Sequence, residues 1–145
     1  MVVFTYKTRI EAPIEEVWAF FSTAENLAKI TSFPKVSILS GPETRQGNLI
    51  QMQLRFVCFS LKWESLIKEV QAPHFFIDKG VKLPFPFLEW QHKHVFHVKG
   101  EYTIMEDIVE FRSVVPSYLT KPLLLSLFRG REKAIRKEFG LEVKS

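Results

Sequence analysis

Apolar and polar residues alternate with a period of two along much of the chain, which predicts β-strands with one buried face. The first strand is Val2–Ile10, and most of its even-numbered positions are apolar. Six further strands are predicted at residues 36–38, 48–56, 61–68, 75–78, 90–97 and 102–111. No helical pattern long enough for a parallel crossover lies between these six, so an antiparallel meander is expected.

Two short helices are predicted between the first and second strands. The first begins at Pro13, since proline suits a helix start, where its missing N–H would have no partner anyway. The second is capped by Ser22 or Thr23. The apolar positions with helical spacing behind these starts are Val17, Phe20, Phe21, Leu27 and Ile30.

A helical period returns from about Thr120 to Gly140 and predicts a helix of roughly 20 residues, about 30 Å long. Pro122 is expected in its first turn, and Gly140 suits the position just after its end. The apolar stripe of such a helix needs a concave sheet to cover it. The elements therefore predict an α+β fold with one strand, two short helices, six strands and a long C-terminal helix.

Composition indicates one ordinary globular domain spanning residues 1–145. Hydrophobic residues make up 46% and charged residues 25%, and no window approaches the roughly 20 apolar residues of a transmembrane helix. The first residues do not read as a secretion signal, and Cys58 is the only cysteine. We therefore expect a cytoplasmic protein without integral membrane insertion. Cys58 lies between Val57 and Phe59, which predicts a small buried hydrophobe rather than a catalytic thiol.

The net charge of +4 is concentrated near the C-terminus. Residues 121–145 carry seven Lys or Arg against three Glu, whereas residues 1–120 carry thirteen of each sign. No base-stacking aromatic residues are interleaved with these charges, and Glu132 can pair with Arg136 one helical turn later. We therefore predict a solvated helix face and no nucleic-acid partner.

The segment 90–111 predicts a β-hairpin whose buried face is partly polar. One strand groups Trp90, His92, His94 and Phe96 on a single face. The other groups Thr103, Met105, Asp107, Val109 and Phe111. With Lys99-Gly100 as the turn, His94 lies opposite Met105, and His92 lies opposite Asp107. Two imidazoles and a carboxylate on an otherwise apolar surface indicate the wall of an occupied cavity.

Three interpretations of His92, His94 and Asp107 remain open. In the first the groups are structural: His92 donates to Asp107, and His94 bonds to a carbonyl or water. In the second they orient a bound apolar molecule through its polar group. In the third Asp107 sets the tautomer of His92, and one imidazole moves a proton on a bound carbonyl compound.

A metal site of two histidines and one carboxylate also fits this spacing. The rest of the predicted wall is apolar, however, so we predict no metal and no cofactor. Asp78 joins the same face if its strand neighbours residues 90–96. A further unusual segment is the proline-interrupted apolar run Pro84-Phe85-Pro86-Phe87. We interpret it as a lid over a cavity mouth, with a membrane-touching loop, a partner-docking patch or a simply folded loop as alternatives.

The most specific motifs are Trp63-x-Ser65-x-Ile67, Phe76-x-Asp78, Trp90-x-His92-x-His94-x-Phe96 and Thr103-x-Met105-x-Asp107-x-Val109. Together with residues 12–20 after the first strand, they resemble the START/pollen-allergen-like superfamily, also called SRPBCC, which includes polyketide cyclases and lipid-transfer domains. Within it they resemble an uncharacterised bacterial branch. The resemblance covers nearly the whole chain. It implies a helix-grip fold, in which a seven-stranded antiparallel sheet curls around the C-terminal helix with an apolar cavity between them.

We therefore predict that the protein binds a small, largely apolar molecule, such as a lipid, an aromatic compound or a polyketide-like compound, between the sheet and the C-terminal helix. The alternative is a cyclase, dehydratase or hydrolase that acts on such a molecule through His92, His94 and Asp107. The predicted ligand-binding residues are Trp63, Asp78, Trp90, His92, His94, Phe96, Met105, Asp107, Val109, Leu124 and Leu127. Nucleotide-dependent and serine-hydrolase chemistry have no motif in this sequence.

Overall fold

The computed structural model describes residues 1–140, which form one curled antiparallel sheet and three helices. The strands are β1 (Val2–Ile10), β2 (Lys35–Ile38), β3 (Leu49–Arg55), β4 (Ser60–Gln71), β5 (Phe75–Lys82), β6 (Phe87–Lys99) and β7 (Tyr102–Ser113). The helices are α1 (Ile14–Phe21), α2 (Ala24–Lys29) and α3 (Ser117–Glu138). The strand order is β1-β7-β6-β5-β4-β3-β2, so β1 and β2 form the two edges. The predicted helix-grip α+β fold is confirmed.

The two short helices follow the predicted pattern. α1 begins directly behind Pro13, and the Oγ1 of Thr23 caps α2 by accepting a hydrogen bond from the backbone N–H of Glu25 at 3.4 Å. α1 packs onto the concave face of the sheet, because its apolar stripe needs cover. The buried cluster that results is Ile10, Ala12, Ile14, Val17, Phe21, Ile30, Phe76, Phe96, Met105 and Ile135.

The long helix begins three residues earlier than predicted. The start at Thr120 was wrong because Pro122 does not lie in the first turn: α3 begins at Ser117, behind Pro116. The carbonyl of Pro116 accepts the first hydrogen bonds of the helix, from the N–H groups of Leu119 at 3.0 Å and Thr120 at 3.2 Å. Pro122, five residues into the helix, removes one interior donor there. None of the helices in residues 1–140 combines the length and apolar character needed to cross a bilayer.

The C-terminal end of α3 agrees with the prediction. Gly140 has a φ of 78°, the left-handed conformation that commonly follows a helix. Glu132 pairs with Arg136 at 3.2 Å one turn later, as predicted. Two of the charged residues counted in segment 121–145, Glu142 and Lys144, lie outside the described residues.

The β6–β7 hairpin turns one residue later than predicted, which shifts the pairing of the two strands by two residues. Gly100 and Glu101 form the turn, since Lys99 pairs with Tyr102. Gly100 has a φ of 69° at the first central position, where type II′ turns require glycine. Because the pairing shifts by an even number of residues, every side chain keeps its predicted face. The pairing partners change, however, and His94 lies opposite Asp107 rather than Met105.

The β3–β4 hairpin overturns the prediction for Cys58, which is exposed. β3 ends at Arg55, and the backbone N–H of Phe56 bonds to the carbonyl of Phe59 at 2.8 Å. Val57 and Cys58 therefore lie at the tip of a hairpin beyond the end of the core. The prediction was wrong because it rested on the apolar neighbours Val57 and Phe59, which are themselves exposed.

Candidate functional site

Four side chains on the concave face form two crossed imidazole–carboxylate pairs. They are Asp78 of β5, His92 and His94 of β6, and Asp107 of β7. Across the ladder Asp78 lies opposite His92, and His94 lies opposite Asp107. The hydrogen bonds run along the diagonals instead: His92 Nε2 lies 2.8 Å from Asp107 Oδ1, and His94 Nε2 lies 2.7 Å from Asp78 Oδ2. The predicted contact between His92 and Asp107 is confirmed, whereas His94 bonds to a carboxylate rather than to a carbonyl or water.

Stacked rings fix the orientation of both imidazoles. The ring centroids of His92 and His94 are 3.7 Å apart, and Phe76 stacks on the other face of His94 at 4.0 Å. Phe128 of α3 meets His92 edge-on at 5.8 Å. Apolar rings therefore flank the polar cluster, and His94 and Asp107 are only 1% and 2% exposed.

Burial, hydrogen bonds and nearby charges together determine the protonation of His94, Asp78 and Asp107. Burial, followed by the nearby His92, lowers the pKa of His94 to about 4, so its ring is neutral at pH 7. Burial is the largest single effect and raises the pKa of a carboxyl group, but the hydrogen bonds from His94 to Asp78 and from His92 to Asp107, together with the charge interactions with both imidazoles and Arg131, outweigh it. Both carboxyl pKa values consequently lie below the ordinary value, and both groups are ionised.

These charges assign the tautomer of His94. Its Nε2 faces an ionised carboxylate and therefore carries the proton, which leaves Nδ1 with a lone pair. Within the described residues that buried Nδ1 has no hydrogen-bond partner, and it lies 3.6 Å from Asp107 Oδ1. Two acceptors thus face one another. A donor placed beside them, such as a hydroxyl or amine hydrogen, would satisfy His94 Nδ1.

Arg131 of α3 is a buried cation that the sequence analysis did not select. Its Nε and Nη2 atoms are buried and have no hydrogen-bond partner among residues 1–140. The guanidinium carbon lies 4.7 Å from the ring centroid of Phe128, and its charge helps to lower the pKa values of Asp78 and Asp107. The signal was present in the sequence, because Arg131 continues the helical stripe of Leu124 and Phe128.

A cavity of about 110 Å³ lies between α2 and strands β2–β5. Its lining is Ala24, Leu27, Ala28, Thr31, Val36, Thr44, Ile50, Met52, Ser65, Ile67, Phe76 and Asp78. α3 contributes nothing to this lining, so the cavity is not the one expected beside the C-terminal helix. There the buried residues Leu124 and Phe128 pack against Phe4, Val109 and Phe111. The Pro84–Phe87 segment contributes nothing to the cavity either.

The predicted ligand-binding residues separate into distinct groups. Asp78 alone of them lines the cavity, and it also belongs to the polar cluster with His92, His94 and Asp107. Trp63 and Trp90 contact one another edge-on at 5.1 Å, with Phe87 beside both. The others are packed in the core or at its border: Phe96, Met105, Val109, Leu124 and Leu127.

Three of the cluster residues lie close enough together to hold a metal ion. One ligand atom from each of Asp78, His92 and His94 falls within 4.8 Å of the others. In this arrangement Asp78 Oδ2 and His94 Nε2 are bonded to each other. A metal would have to replace that hydrogen bond. The geometry therefore favours a hydrogen-bonded cluster over a metal site.

Comparison with solved structures shows which fold this is. The protein Ms6760 from Mycobacterium smegmatis matches with 17% identity and a TM-score of 0.69 over 97% of this chain and 90% of that one. The protein XoxI from Bacillus cereus matches with 14% identity and a TM-score of 0.76 over 98% and 99% of the two chains. Norcoclaurine synthase from Thalictrum flavum, solved with dopamine and hydroxybenzaldehyde, matches with 16% identity and a TM-score of 0.70 over 99% and 88%. No family model and no curated protein matches the chain.

Proposed function

Because the chain has the helix-grip fold of the START/pollen-allergen-like superfamily, we propose that it binds a small, largely apolar molecule that carries a hydrogen-bond donor. The proposed site is the cavity between α2 and strands β2–β5, and residues 1–145 act as one cytoplasmic ligand-binding domain. The fold supports this proposal, since it holds helices against a concave sheet. The cavity walls are mostly aliphatic, which suits an apolar body.

The observation that carries the proposal is the position of Asp78. Its carboxylate is ionised and lines an otherwise largely apolar cavity. Oδ2 accepts the hydrogen bond from His94, which leaves Oδ1 available to a ligand. A hydroxyl or amine on the ligand would form a charge-assisted hydrogen bond there, of the kind worth about 1.5 to 3 kcal/mol.

The cavity volume limits the size of the ligand. At about 110 Å³ it is smaller than the roughly 300 Å³ at which drug-sized pockets begin. A single aromatic ring is therefore a suitable body, and a larger lipid or polyketide would require α2 to move away from the sheet. Native mass spectrometry before and after organic extraction would identify any molecule that co-purifies.

Phenol and toluene provide a matched pair of probes, because they are alike in shape and only phenol has a donor. We expect phenol to bind at least about tenfold more tightly, as measured by calorimetry. Asp78→Asn should abolish this preference while leaving toluene unchanged. Glu106→Gln, on the outer face of β7, serves as the control and should alter neither. Equal affinity for phenol and toluene in the wild-type protein would contradict the proposal.

A second candidate function is general acid–base catalysis. It is favoured by the contact between His92 and Asp107, since a carboxylate that orients an imidazole is a recurrent acid–base arrangement. Asp107→Asn should then reduce turnover of an aromatic ester such as 4-nitrophenyl acetate by at least about a hundredfold. His97→Gln on the outer face should leave turnover unchanged. If both variants match the wild type, the polar cluster has no catalytic role in this reaction.

A further inference from the structure

Exposed apolar side chains concentrate at one end of the sheet. We call this the apolar end, and it comprises the β3–β4 hairpin, the β5–β6 loop with the start of β6, the β7–α3 connection with the first turns of α3, and the residues just before β1 and β2. Its exposed apolar residues are Met1, Phe33, Val57, Phe59, Phe85, Leu88, Val114, Tyr118, Leu119 and Leu123. Val57 is 91% exposed, Phe85 is 78% exposed and Leu123 is 67% exposed. At the opposite end the exposed large apolar residues are Leu39, Leu49 and Val98.

The topology explains why these segments meet. In an antiparallel meander every second connection lies at the same end, so the β3–β4 and β5–β6 connections share it with the β7–α3 connection. The segments are also in contact. The N–H of Val114 donates to the carbonyl of Pro86 at 3.0 Å, and Phe33 meets Phe56 edge-on at 5.6 Å.

Exposed basic side chains lie at the apolar end as well. Five exposed basic residues lie at this end and make no ion pair within the described residues: Lys35, Arg55, Lys62, Lys82 and Lys121. The acidic residues there are Glu64, which is partly buried, and Glu89, which pairs with Arg112. The apolar end is therefore both hydrophobic and positively charged.

The depth of these charges matches a lipid surface. Arg55 precedes Val57 by two residues, which places it about 7 Å behind the hairpin tip in an extended chain. An apolar group that enters a bilayer by about 5 to 10 Å reaches the boundary between headgroups and acyl chains. Arg55 would then lie among the headgroups. Apolar tips from separate segments suit a fluid lipid surface better than the flat face of a protein.

We propose that the apolar end docks peripherally on the surface of an anionic bilayer. Val57 and Phe59 enter the lipid from the hairpin, Phe85 from the β5–β6 loop, and the exposed side chains of α3 from its first turns. The five basic residues contact the anionic headgroups. This interaction does not depend on the ligand proposed above, since none of these residues lines the cavity.

Vesicle flotation tests the proposal with a matched pair of variants. Val57→Asp changes the apolar end, and Val98→Asp changes an exposed valine at the opposite end of the sheet. The vesicles contain phosphatidylcholine alone or phosphatidylcholine mixed with phosphatidylserine. We expect the wild type to bind the mixed vesicles at least about tenfold more strongly than the neutral ones. Val57→Asp should reduce binding to the mixed vesicles by about tenfold, and Val98→Asp should not change it.

Three outcomes would overturn the proposal. The first is that the wild type binds neither kind of vesicle. The second is that Val57→Asp and Val98→Asp have the same effect. The third is that sedimentation shows a wild-type dimer that Val57→Asp converts to a monomer, because the apolar end would then be an interface between two copies of the chain. Circular dichroism of both variants verifies that they are folded.

Discussion

The two faces of the β6–β7 hairpin carry the same chemical pair in opposite environments. On the concave face His92 meets Asp107 at 2.8 Å, and their side chains are 7% and 3% exposed. On the outer face His97 meets Glu106 at 3.1 Å, and their side chains are 44% and 24% exposed. Water surrounds the outer pair and screens it, whereas rings and aliphatic side chains surround the inner pair. Burial rather than residue type therefore makes one pair a candidate site.

The largest difference between the two faces should appear when one partner is removed. Asp107→Ala leaves His92 without its partner in the core, and we expect a loss of about 3 to 5 kcal/mol in the free energy of unfolding. Glu106→Ala should cost less than about 1 kcal/mol, because water replaces the lost contact. Urea denaturation of both variants measures this. Similar losses would mean that the inner cluster is more hydrated than its burial indicates.

The inner face should also give the protein an acid-sensitive stability. Since the pKa of folded His94 is about 4 against its ordinary 6.5, the unfolded chain takes up a proton in this interval that the folded protein does not. The free energy of unfolding should therefore fall by about 3 kcal/mol as the pH falls from 6.5 to 4. His94→Gln should remove this slope, and His97→Gln should keep it. An unchanged slope in His94→Gln would assign the acid sensitivity to other groups.

A smaller effect should follow from the buried cation on α3. Asp78 and Asp107 stabilise the fold above their unfolded pKa, and this contribution is lost as the pH falls through their lowered folded pKa values. Arg131→Met removes one cause of that lowering and should move the acid-unfolding midpoint upward by less than about one pH unit. Arg129→Met, at an exposed position on the same helix, is the control. Equal midpoints for Arg131→Met and the wild type would show that its charge does not reach the cluster.

The sequence predicted the succession of strands and helices along the chain, including the short helices, and the polar face of the hairpin, because each depends on local periodicity. The cap at Thr23, one of the two predicted caps, is local as well. The His92–Asp107 contact is present although the predicted register is shifted by two residues, because the two side chains bond across the diagonal. The register of the β6–β7 hairpin could not be predicted in this way, since a turn at Lys99-Gly100 and a turn at Gly100-Glu101 both contain a glycine. An even shift leaves the hydrophobic pattern unchanged, so the pattern cannot distinguish the two.

The location of the cavity required the three-dimensional structure. Leu124 and Phe128 carry the apolar stripe of α3, and a stripe alone does not reveal whether it fills the space above the sheet. Arg131 continues this stripe, but it lies in a segment rich in basic residues, and its charge alone is typical of a solvated face. Asp78 was placed conditionally, since the length of the segment before β6 left its register open. The location of the cavity, the burial of Arg131 and the position of Asp78 all depend on long-range packing.

The open sheet has a further consequence for self-association. An unpaired strand edge is a template on which other chains can add and grow into aggregates. β2, at one edge, has four residues and offers a short template. β1, at the other, is longer, but α3 packs against it, and the Tyr6 hydroxyl donates to Glu132 of α3 at 2.5 Å. The C-terminal helix thus hinders the addition of strands from other chains at the longer edge.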